Sequence, residues 1–186
     1  MSRRSKKKNL PREPIELRVD DLSHDGRGVA SRGEKKVFVR GALPGERVMA
    51  RLTGSKRRYD EGETIDVLEA SPDRVQPQCP HFGRCGGCSL QHLDAGRQIE
   101  AKQNTLAQNL ARIGKVTPEQ FWPPLTGAAW GYRRKARLSV RYVAAKERVL
   151  VGFRETYARF VADIQECHVL DPRIDAQLAA LSGVIH

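Results

Sequence analysis

The sequence predicts a mainly β protein with an added α+β part: a small closed barrel near the N-terminus, followed by a domain built around a metal centre. Short runs that alternate apolar and polar residues fill the stretch 15–71, separated by Gly and Pro turns. Three of the four cysteines crowd into residues 79–88. The chain of 186 residues carries 33 Lys and Arg against 22 Asp and Glu, a net charge of +11 that favours a polyanionic partner such as nucleic acid.

The predicted barrel occupies residues 14–72. Turn signals at 25–28 and 44–45 and a polar hairpin loop at 54–58 divide this stretch into about five short strands, of which the clearest runs are 15–19, 35–40, 48–52 and 64–68. Five strands of this length are typical of an OB-like barrel, which binds nucleic acid across one face and its loops.

Basic residues lie at two places in this first part. Residues 1–13 are rich in Lys and Arg and poor in apolar residues, which predicts a disordered basic arm. The candidate RNA-binding rim of the barrel consists of Arg51, Lys56, Arg57 and Arg58, with an ordinary solvated hairpin as the alternative. Phe38 and Tyr59 could stack on bases, but aromatic residues in such short strands are more often core.

The cysteines form a C-x5-C-x2-C motif of Cys79, Cys85 and Cys88, and Cys167 is the one remaining thiol. No secretory signal precedes them, so disulfides are disfavoured and four thiolates around a metal centre fit better. Gly86, next to Cys85, gives the loop the backbone freedom that metal and cluster loops use.

Zinc and an iron–sulfur cluster both accept four thiolates. A zinc ribbon usually pairs two C-x2-C knuckles, whereas this chain has one, joined by a C-x5 arm and a distant cysteine. That asymmetry favours a cubane-type cluster. Three histidines near the cysteines could substitute in a zinc site: His81, His92 and His168.

The metal-binding α+β domain is predicted over residues 73–170. Asp94 is expected to cap a helix that Gly114 ends, with an apolar core stripe of Ile99, Leu106, Leu110 and Ile113. Strands are expected at 138–143, 149–153 and 159–161 as a small antiparallel sheet whose far end returns Cys167 to the metal. A basic run of Arg133, Arg134, Lys135 and Arg137 is the second candidate RNA contact.

Residues 171–186 open a new amphipathic segment with Ile174, Leu178 and Leu181 on one face. We expect this segment to connect to a further domain, so that the chain is part of a longer protein. No apolar run approaches the roughly 20 residues that span a bilayer. The expected state is a cytoplasmic monomer.

Several motifs together resemble the RNA uracil-C5 methyltransferases. They are CPHFGRCGGCSLQH at 79–92, WGYRRK at 130–135 and GFR at 152–154, while GRGVA at 26–30 and GALPGE at 41–46 resemble a TRAM domain. Within that family, the combination of TRAM with such cysteines resembles the branch that acts on 23S ribosomal RNA. The resemblance implies a [4Fe–4S] cluster on Cys79, Cys85, Cys88 and Cys167, with TRAM as an OB-like RNA-binding barrel.

The family's chemistry adds a cysteine thiolate to uracil C6, transfers a methyl group from S-adenosylmethionine to C5, and removes the C5 proton with a carboxylate. All four cysteines of this chain are assigned to the cluster, and no Gly-rich strand-to-helix turn for a nucleotide cofactor is found. We therefore expect no catalytic residue in this chain, a Rossmann-like catalytic domain outside it, and no methylation by the chain alone.

Two other functions compete with this interpretation. A stand-alone RNA-binding module with a structural zinc would act without catalysis, and iron with labile sulfide would distinguish the two. Radical methylthiotransferases also join TRAM to a cluster, but their C-x3-C-x2-C motif is absent here.

Overall fold

The computed structural model describes residues 10–11, 13–156 and 158–185. Residues 1–9 and Arg12, which make up most of the predicted basic arm, lie outside the described residues. The chain divides into two compact units, Met1–Arg74 and Val75–His186. None of the described helices is long and apolar enough to cross a membrane.

The first unit is a closed barrel of five strands in the order β1-β2-β3-β5-β4. The strands are β1 Ile15–Leu22, β2 Gly28–Arg32, β3 Lys35–Arg40, β4 Arg47–Ser55 and β5 Tyr59–Glu69. β3 and β5 pair in parallel, and the other neighbours pair antiparallel. The prediction of a mainly β fold with a five-stranded barrel is confirmed.

The barrel interior is filled by the inward-facing residues of each alternating run. They are buried and include Leu17, Val19, Ala30, Val37, Val39, Val48, Ala50 and Leu52. Gly28 begins β2 where the backbones crowd, since a Cβ there would lie 2.8 Å from Val19 Cγ1 and 2.9 Å from the Ala42 carbonyl oxygen. Burial on one face and exposure on the other is the period-2 pattern from which the strands were predicted.

The second unit contains little regular structure. Its elements are α1 Ala95–Asn109, β6 Ser139–Val143, β7 Arg148–Gly152, α2 Pro172–Asp175 and α3 Leu178–Val184, with a π-helical turn at Leu110–Gly114 and a 3-10 turn at Ala144–Lys146. Asp94 caps α1 as predicted, because its Oδ1 accepts hydrogen bonds from the backbone N–H groups of Gly96 (2.9 Å) and Arg97 (3.2 Å).

The prediction that α1 has an apolar core stripe is wrong. No residue of α1 is buried, Leu106 is 53% exposed, and Ile113 in the following turn is 79% exposed. The reason is that, among the described helices and strands, only the adjoining π-helical turn makes more than marginal contact with α1. The helical segment ends at Gly114, as predicted, and the next residue, Lys115, takes a left-handed conformation with φ of 54°.

The expected third strand at 159–161 is also wrong. β6 and β7 form a two-stranded antiparallel sheet, and Val161 makes only an isolated bridge to Arg154. Two backbone hydrogen bonds accompany this bridge, from the N–H of Ala162 to the Phe153 carbonyl (2.8 Å) and from the N–H of Glu155 to the Phe160 carbonyl (2.9 Å). The segment that follows packs in the core of the unit, with Ala162, Ile164, Val169 and Leu170 buried around Leu178. Leu178 therefore belongs to the core of this unit, and Ile174 packs against it.

Candidate metal centre and nucleic-acid interface

The cysteine loop folds through its own backbone. The N–H of Phe82 donates to the Cys79 carbonyl (3.1 Å), and the N–H of Cys85 donates to the His81 carbonyl (2.8 Å). Gly83 sits between these turns with φ of 86°, a left-handed conformation that glycine adopts without strain. These bonds turn the chain twice and bring Cys79 and Cys85 to the same side of the loop.

A second segment, residues 154–156, fixes this loop from outside. The N–H of Gly86 donates to the Arg154 carbonyl and the N–H of Thr156 donates to the Arg84 carbonyl, both at 2.9 Å. The side chains of Arg84 and Glu155 form an ion pair at 2.7 Å. A Cβ on Gly86 would lie 2.8 Å from the Arg154 carbonyl oxygen, so only glycine allows the two backbones to approach this closely.

Cys167 reaches the loop from the C-terminal segment of the unit. Its side chain is buried, its N–H donates to Asp175 Oδ1 at 2.6 Å, and its carbonyl accepts from the N–H of Leu170 at 2.9 Å. Because α2 carries Asp175, the short helix after the predicted domain helps to position the fourth cysteine.

All four cysteines line one narrow cavity. Its other walls are mainly apolar and include Phe82, Phe153, Ile164 and Val169, while the polar residues at the wall include His81, Gln91, Glu166 and His168. The Phe153 ring packs on the loop so closely that a Cβ on Gly87 would lie 3.0 Å from it. His92, the third histidine considered in the sequence, does not line this cavity; it is buried and its ring lies 5.3 Å from that of Phe82.

The surroundings of three of the four thiols raise their pKa and so favour the protonated form. Burial raises the pKa of Cys79, Cys85 and Cys167; nearby backbone N–H groups lower it, and the charges of the other cysteines raise it. Four thiolates in one apolar cavity repel one another and lose hydration, so a bound cationic centre is what makes the ionised set stable.

Four thiols are a donor set that either a tetrahedral zinc ion or an iron–sulfur cluster can use. In the part of the chain that the structure describes, no three His, Cys, Asp or Glu side chains are placed to hold one metal ion. Tetrahedral zinc, with Zn–S bonds of about 2.3 Å, needs its sulfurs within roughly 4 Å of one another. A cubane cluster takes one cysteine per iron at separate corners and so accepts thiols spread around a cavity. In number and in ligand type, the four cysteines match the four thiolates that a [4Fe–4S] cluster uses.

The basic residues predicted on the barrel have two different settings. Lys56, Arg57 and Arg58 form the exposed turn between β4 and β5, which closes with a bond from the N–H of Lys56 to the Tyr59 carbonyl (2.8 Å). Arg51 lies on β4 itself, 3.7 Å from Glu63 of β5. The four residues expected to form one rim therefore lie in two settings. Lys56, Arg57 and Arg58 are in an exposed turn, and Arg51 is on a strand beside Glu63.

The basic run of the second unit is also divided. Arg133 is half-buried, donates from Nη1 to the Gly87 carbonyl (3.3 Å), and lies over the Phe153 ring at 5.7 Å. Arg134 is 84% exposed and 4.0 Å from Asp171, and Lys135 and Arg137 are exposed. Arg133 therefore supports the cysteine loop, which the sequence did not indicate, while its three neighbours remain available to a ligand.

Residues 8–65 match the TRAM domain family. Over 180 residues the chain is 51% identical to the 23S rRNA (uracil(1939)-C(5))-methyltransferase of Alkalilimnicola ehrlichii, covering 97% of this chain and 40% of the relative. The corresponding enzymes of Xanthomonas axonopodis pv. citri and Stenotrophomonas maltophilia strain K279a are each 55% identical over 179 residues, covering 95% of this chain and 40% of each relative.

A solved structure is similar as well. The tRNA (uracil-54, C5)-methyltransferase of Pyrococcus abyssi, determined in complex with S-adenosyl-L-homocysteine, superposes with a TM-score of 0.58 and 25% identity, covering 92% of this chain and 36% of that one.

The match to the TRAM domain family at residues 8–65 thus falls on the five-stranded barrel. Over nearly its whole length, this chain is homologous to RNA uracil-C5 methyltransferases, and the resemblance inferred from its motifs is confirmed. The chain spans about 40% of the length of the 23S rRNA methyltransferases that it matches.

Proposed function

We propose that this chain is the RNA-binding and [4Fe–4S]-binding part of an enzyme that methylates C5 of a uridine in 23S ribosomal RNA, with S-adenosylmethionine as the methyl donor. The observation that carries the proposal is identity of 51–55% with such enzymes across 95–97% of the chain. The excess of 33 basic over 22 acidic residues agrees with a large polyanionic substrate.

Cys79, Cys85, Cys88 and Cys167 would hold the cluster. When bound, the cluster supplies iron–sulfur bonds that join the cysteine loop to the segment that ends at Cys167. Methyl transfer to C5 by cysteine addition needs no electron from iron, so these residues serve to hold and orient the RNA-binding surface. Arg133 contributes by fixing the Gly87 carbonyl, and Phe153 keeps water from the cavity wall.

The RNA would be gripped by basic side chains of both units. The candidates are Arg51, Lys56, Arg57 and Arg58 on the barrel and Arg134, Lys135 and Arg137 in the second unit, with Arg133 in a supporting position. Exposed Lys and Arg side chains contact phosphates and release counterions, a contribution to affinity that does not depend on base sequence.

Metal analysis tests the cluster. Protein purified without oxygen should contain about four iron atoms per chain with matching sulfide. Stoichiometric zinc without sulfide would instead favour a stand-alone RNA-binding module. Cys167→Ser should lose cluster and loosen the second unit, because Cys167 closes the long loop back to the other three ligands. Unchanged iron content in Cys167→Ser would remove this residue from the ligand set.

Activity measurements test whether any cysteine of this chain acts as the catalytic nucleophile. With all four thiols on the cluster, none is left to attack uracil C6, so the chain incubated with ribosomal RNA and labelled S-adenosylmethionine should transfer no methyl group. Label at C5 of uracil would show that one of the four cysteines is a nucleophile instead of a ligand.

A further inference from the structure

A buried carboxylate joins two turns at one end of the barrel. Asp60 is 3% exposed and accepts hydrogen bonds at Oδ1 from Lys35 Nζ (2.9 Å) and Ser55 Oγ (2.6 Å). Lys35 Nζ also donates to the Lys56 carbonyl at 2.7 Å, and Arg32 Nη1 lies 3.7 Å from Asp60 Oδ2. Asp60 therefore holds the turn between β2 and β3 against the turn between β4 and β5.

The two turns together form a cationic surface, which we call the two-turn surface and define as residues 32–36 and 56–58. Its cations are Arg32, Lys35, Lys36, Lys56, Arg57 and Arg58, and its acidic side chains are Glu34 and the underlying Asp60. Lys35 is compensated by Asp60 and acts as a link between the turns. Arg32 also lies 3.7 Å from Asp60, whereas Lys36, Lys56, Arg57 and Arg58 are exposed, with Glu34 as the acidic side chain of the two turns themselves.

Two aromatic rings lie on the barrel wall directly beside this surface. Val37, Val39 and Asp60 are buried, so Phe38 and Tyr59, which alternate with them along β3 and β5, face outward. Tyr59 is in register with Lys36, and its ring meets that of Phe38 edge-on with centroids 5.4 Å apart. Arg27 lies 4.8 Å over the Phe38 ring, so Phe38 already has a partner, whereas Tyr59 follows Arg58 directly in the chain and pairs with Lys36.

We propose that the two-turn surface and Tyr59 form one binding site for single-stranded RNA, in which Lys36, Arg57 and Arg58 contact consecutive phosphates and a base stacks on Tyr59. Cations that follow the backbone beside an aromatic ring are the combination by which proteins bind single strands. The inference rests on the proposed RNA-binding function and deepens it, since it specifies an unpaired segment of the RNA as the ligand and adds the β2–β3 turn to the contact.

Fluorescence anisotropy on the full chain tests the site with two probes, a labelled 12-nucleotide oligouridine and an abasic oligonucleotide of the same length. The parent should bind oligouridine about tenfold more tightly than the abasic strand, because only the former can stack. Tyr59→Leu, which keeps an apolar side chain, should remove most of that preference. Tyr59→Phe should keep it.

Lys36→Ala tests the phosphate contact on the turn that the sequence did not indicate. Its slope of log affinity against log salt should become shallower by about 0.7, the value for one phosphate of a single strand. Arg18→Ala is the matched control, since Arg18 is an exposed arginine on β1, which pairs with β2 and β4 and not with β3 or β5. Its slope should equal that of the parent.

Equal affinity of the parent for the two probes would overturn the stacking contact even if Tyr59→Leu fails to fold. Equal slopes for Lys36→Ala and Arg18→Ala would overturn the phosphate contact. Either result with normal binding by the parent leaves the proposed RNA-binding function intact, whereas a parent that binds neither probe overturns that function together with this site.

Discussion

At the scale of single residues, Glu46 links the start of β4 to the segment that follows β5. It is fully buried, and its carboxylate accepts from the N–H groups of Leu43 (2.8 Å) and Ser71 (3.2 Å) and from the guanidinium of Arg74 (2.5 Å). Burial alone would raise the pKa of Glu46, but these hydrogen bonds and the charge of Arg74 outweigh it and hold the pKa below its ordinary value.

Replacing this carboxylate should weaken the barrel. Glu46→Gln should lower the free energy of unfolding by about 2 kcal/mol, because the amide keeps the shape but presents donors to donors. The matched control is Glu69→Gln, whose side chain is 65% exposed in its pair with Arg47 and which should change stability by less than about 0.5 kcal/mol. Equal losses in urea unfolding of the two variants would contradict this role for Glu46.

The same residue makes stability depend on acid. Since the folded state holds the pKa of Glu46 below its unfolded value, the unfolded state binds more protons between the two values. The contribution of Glu46 is therefore complete above the ordinary glutamate pKa and is lost as the pH falls through the folded pKa. Measured between neutral pH and about pH 3, the stability of Glu46→Gln should decline less than that of the parent.

Gly86 decides whether the cysteine loop can dock. Gly86→Ala places a methyl group against the Arg154 carbonyl, so the loop must move away, at a cost of about 1–3 kcal/mol and with lower iron content after anaerobic purification. Gly127→Ala is the control, because nothing lies within 4 Å of its Cβ position. Full iron content in Gly86→Ala would mean that the close backbone approach does not help to form the metal site.

At the scale of elements, α1 was expected to contribute an apolar stripe to the core, yet it has no buried residue. The short α3 contributes Leu178 to the core instead. The stripe of α1 is the more regular, yet Leu106 is 53% exposed, whereas Leu178 of the short α3 is 2% exposed. Hydrophobic periodicity indicates that a helix has an apolar face, but it does not indicate which part of the protein packs against that face. The partner of a face is set by the packing of distant segments.

Unfolding measurements can verify that α3, and not α1, contributes to the core. Leu106→Gln should alter the free energy of unfolding of this chain by less than about 0.5 kcal/mol, because it replaces an exposed side chain. Leu178→Ala should cost about 2–4 kcal/mol, because it empties space in the core formed by Ala162, Ile164 and Leu170. A larger loss for Leu106→Gln than for Leu178→Ala would refute the observed packing.

The elements that could be predicted from the sequence depend on local interactions, and those that could not depend on contacts between distant residues. Strong local signals gave the cap at Asp94, the hairpin turn after β4 and the Cys79–Cys88 spacing. β2 was missed because GVASR is short and begins at a turn glycine, and 159–161 was assigned as a strand because local alternation cannot show whether a partner edge exists. The Asp60 network joins residues 25 positions apart, so no local pattern reveals it.

At the scale of the whole molecule, the net charge of +11 is distributed unevenly. Many arginines are used in pairs that stabilise the fold, including Arg47 with Glu16 and Glu69, and Arg148 with Asp163. Lys56, Arg57 and Arg58 are different: within the described residues, their side chains are exposed and form no ion pair. Cations of this kind are the ones that gain most from contact with a phosphate backbone.

The salt dependence of RNA binding measures how many such cations are used. Log affinity for single-stranded RNA should fall with log salt by about 0.7 for each phosphate contacted. Replacing Lys56, Arg57 and Arg58 together by Ala should make that slope shallower by at least about 1.4, the value for the two phosphates assigned to Arg57 and Arg58. Thermal unfolding should be unchanged, because the turn lies outside the barrel core of Leu17, Val39 and Leu52 and its replacement buries or exposes little apolar surface. Should the triple variant bind with the affinity and slope of the parent, the turn is only solvated. The phosphate contacts would then have to come from other exposed cations, and replacing Arg134, Lys135 and Arg137 by Ala measures the share that the second unit supplies.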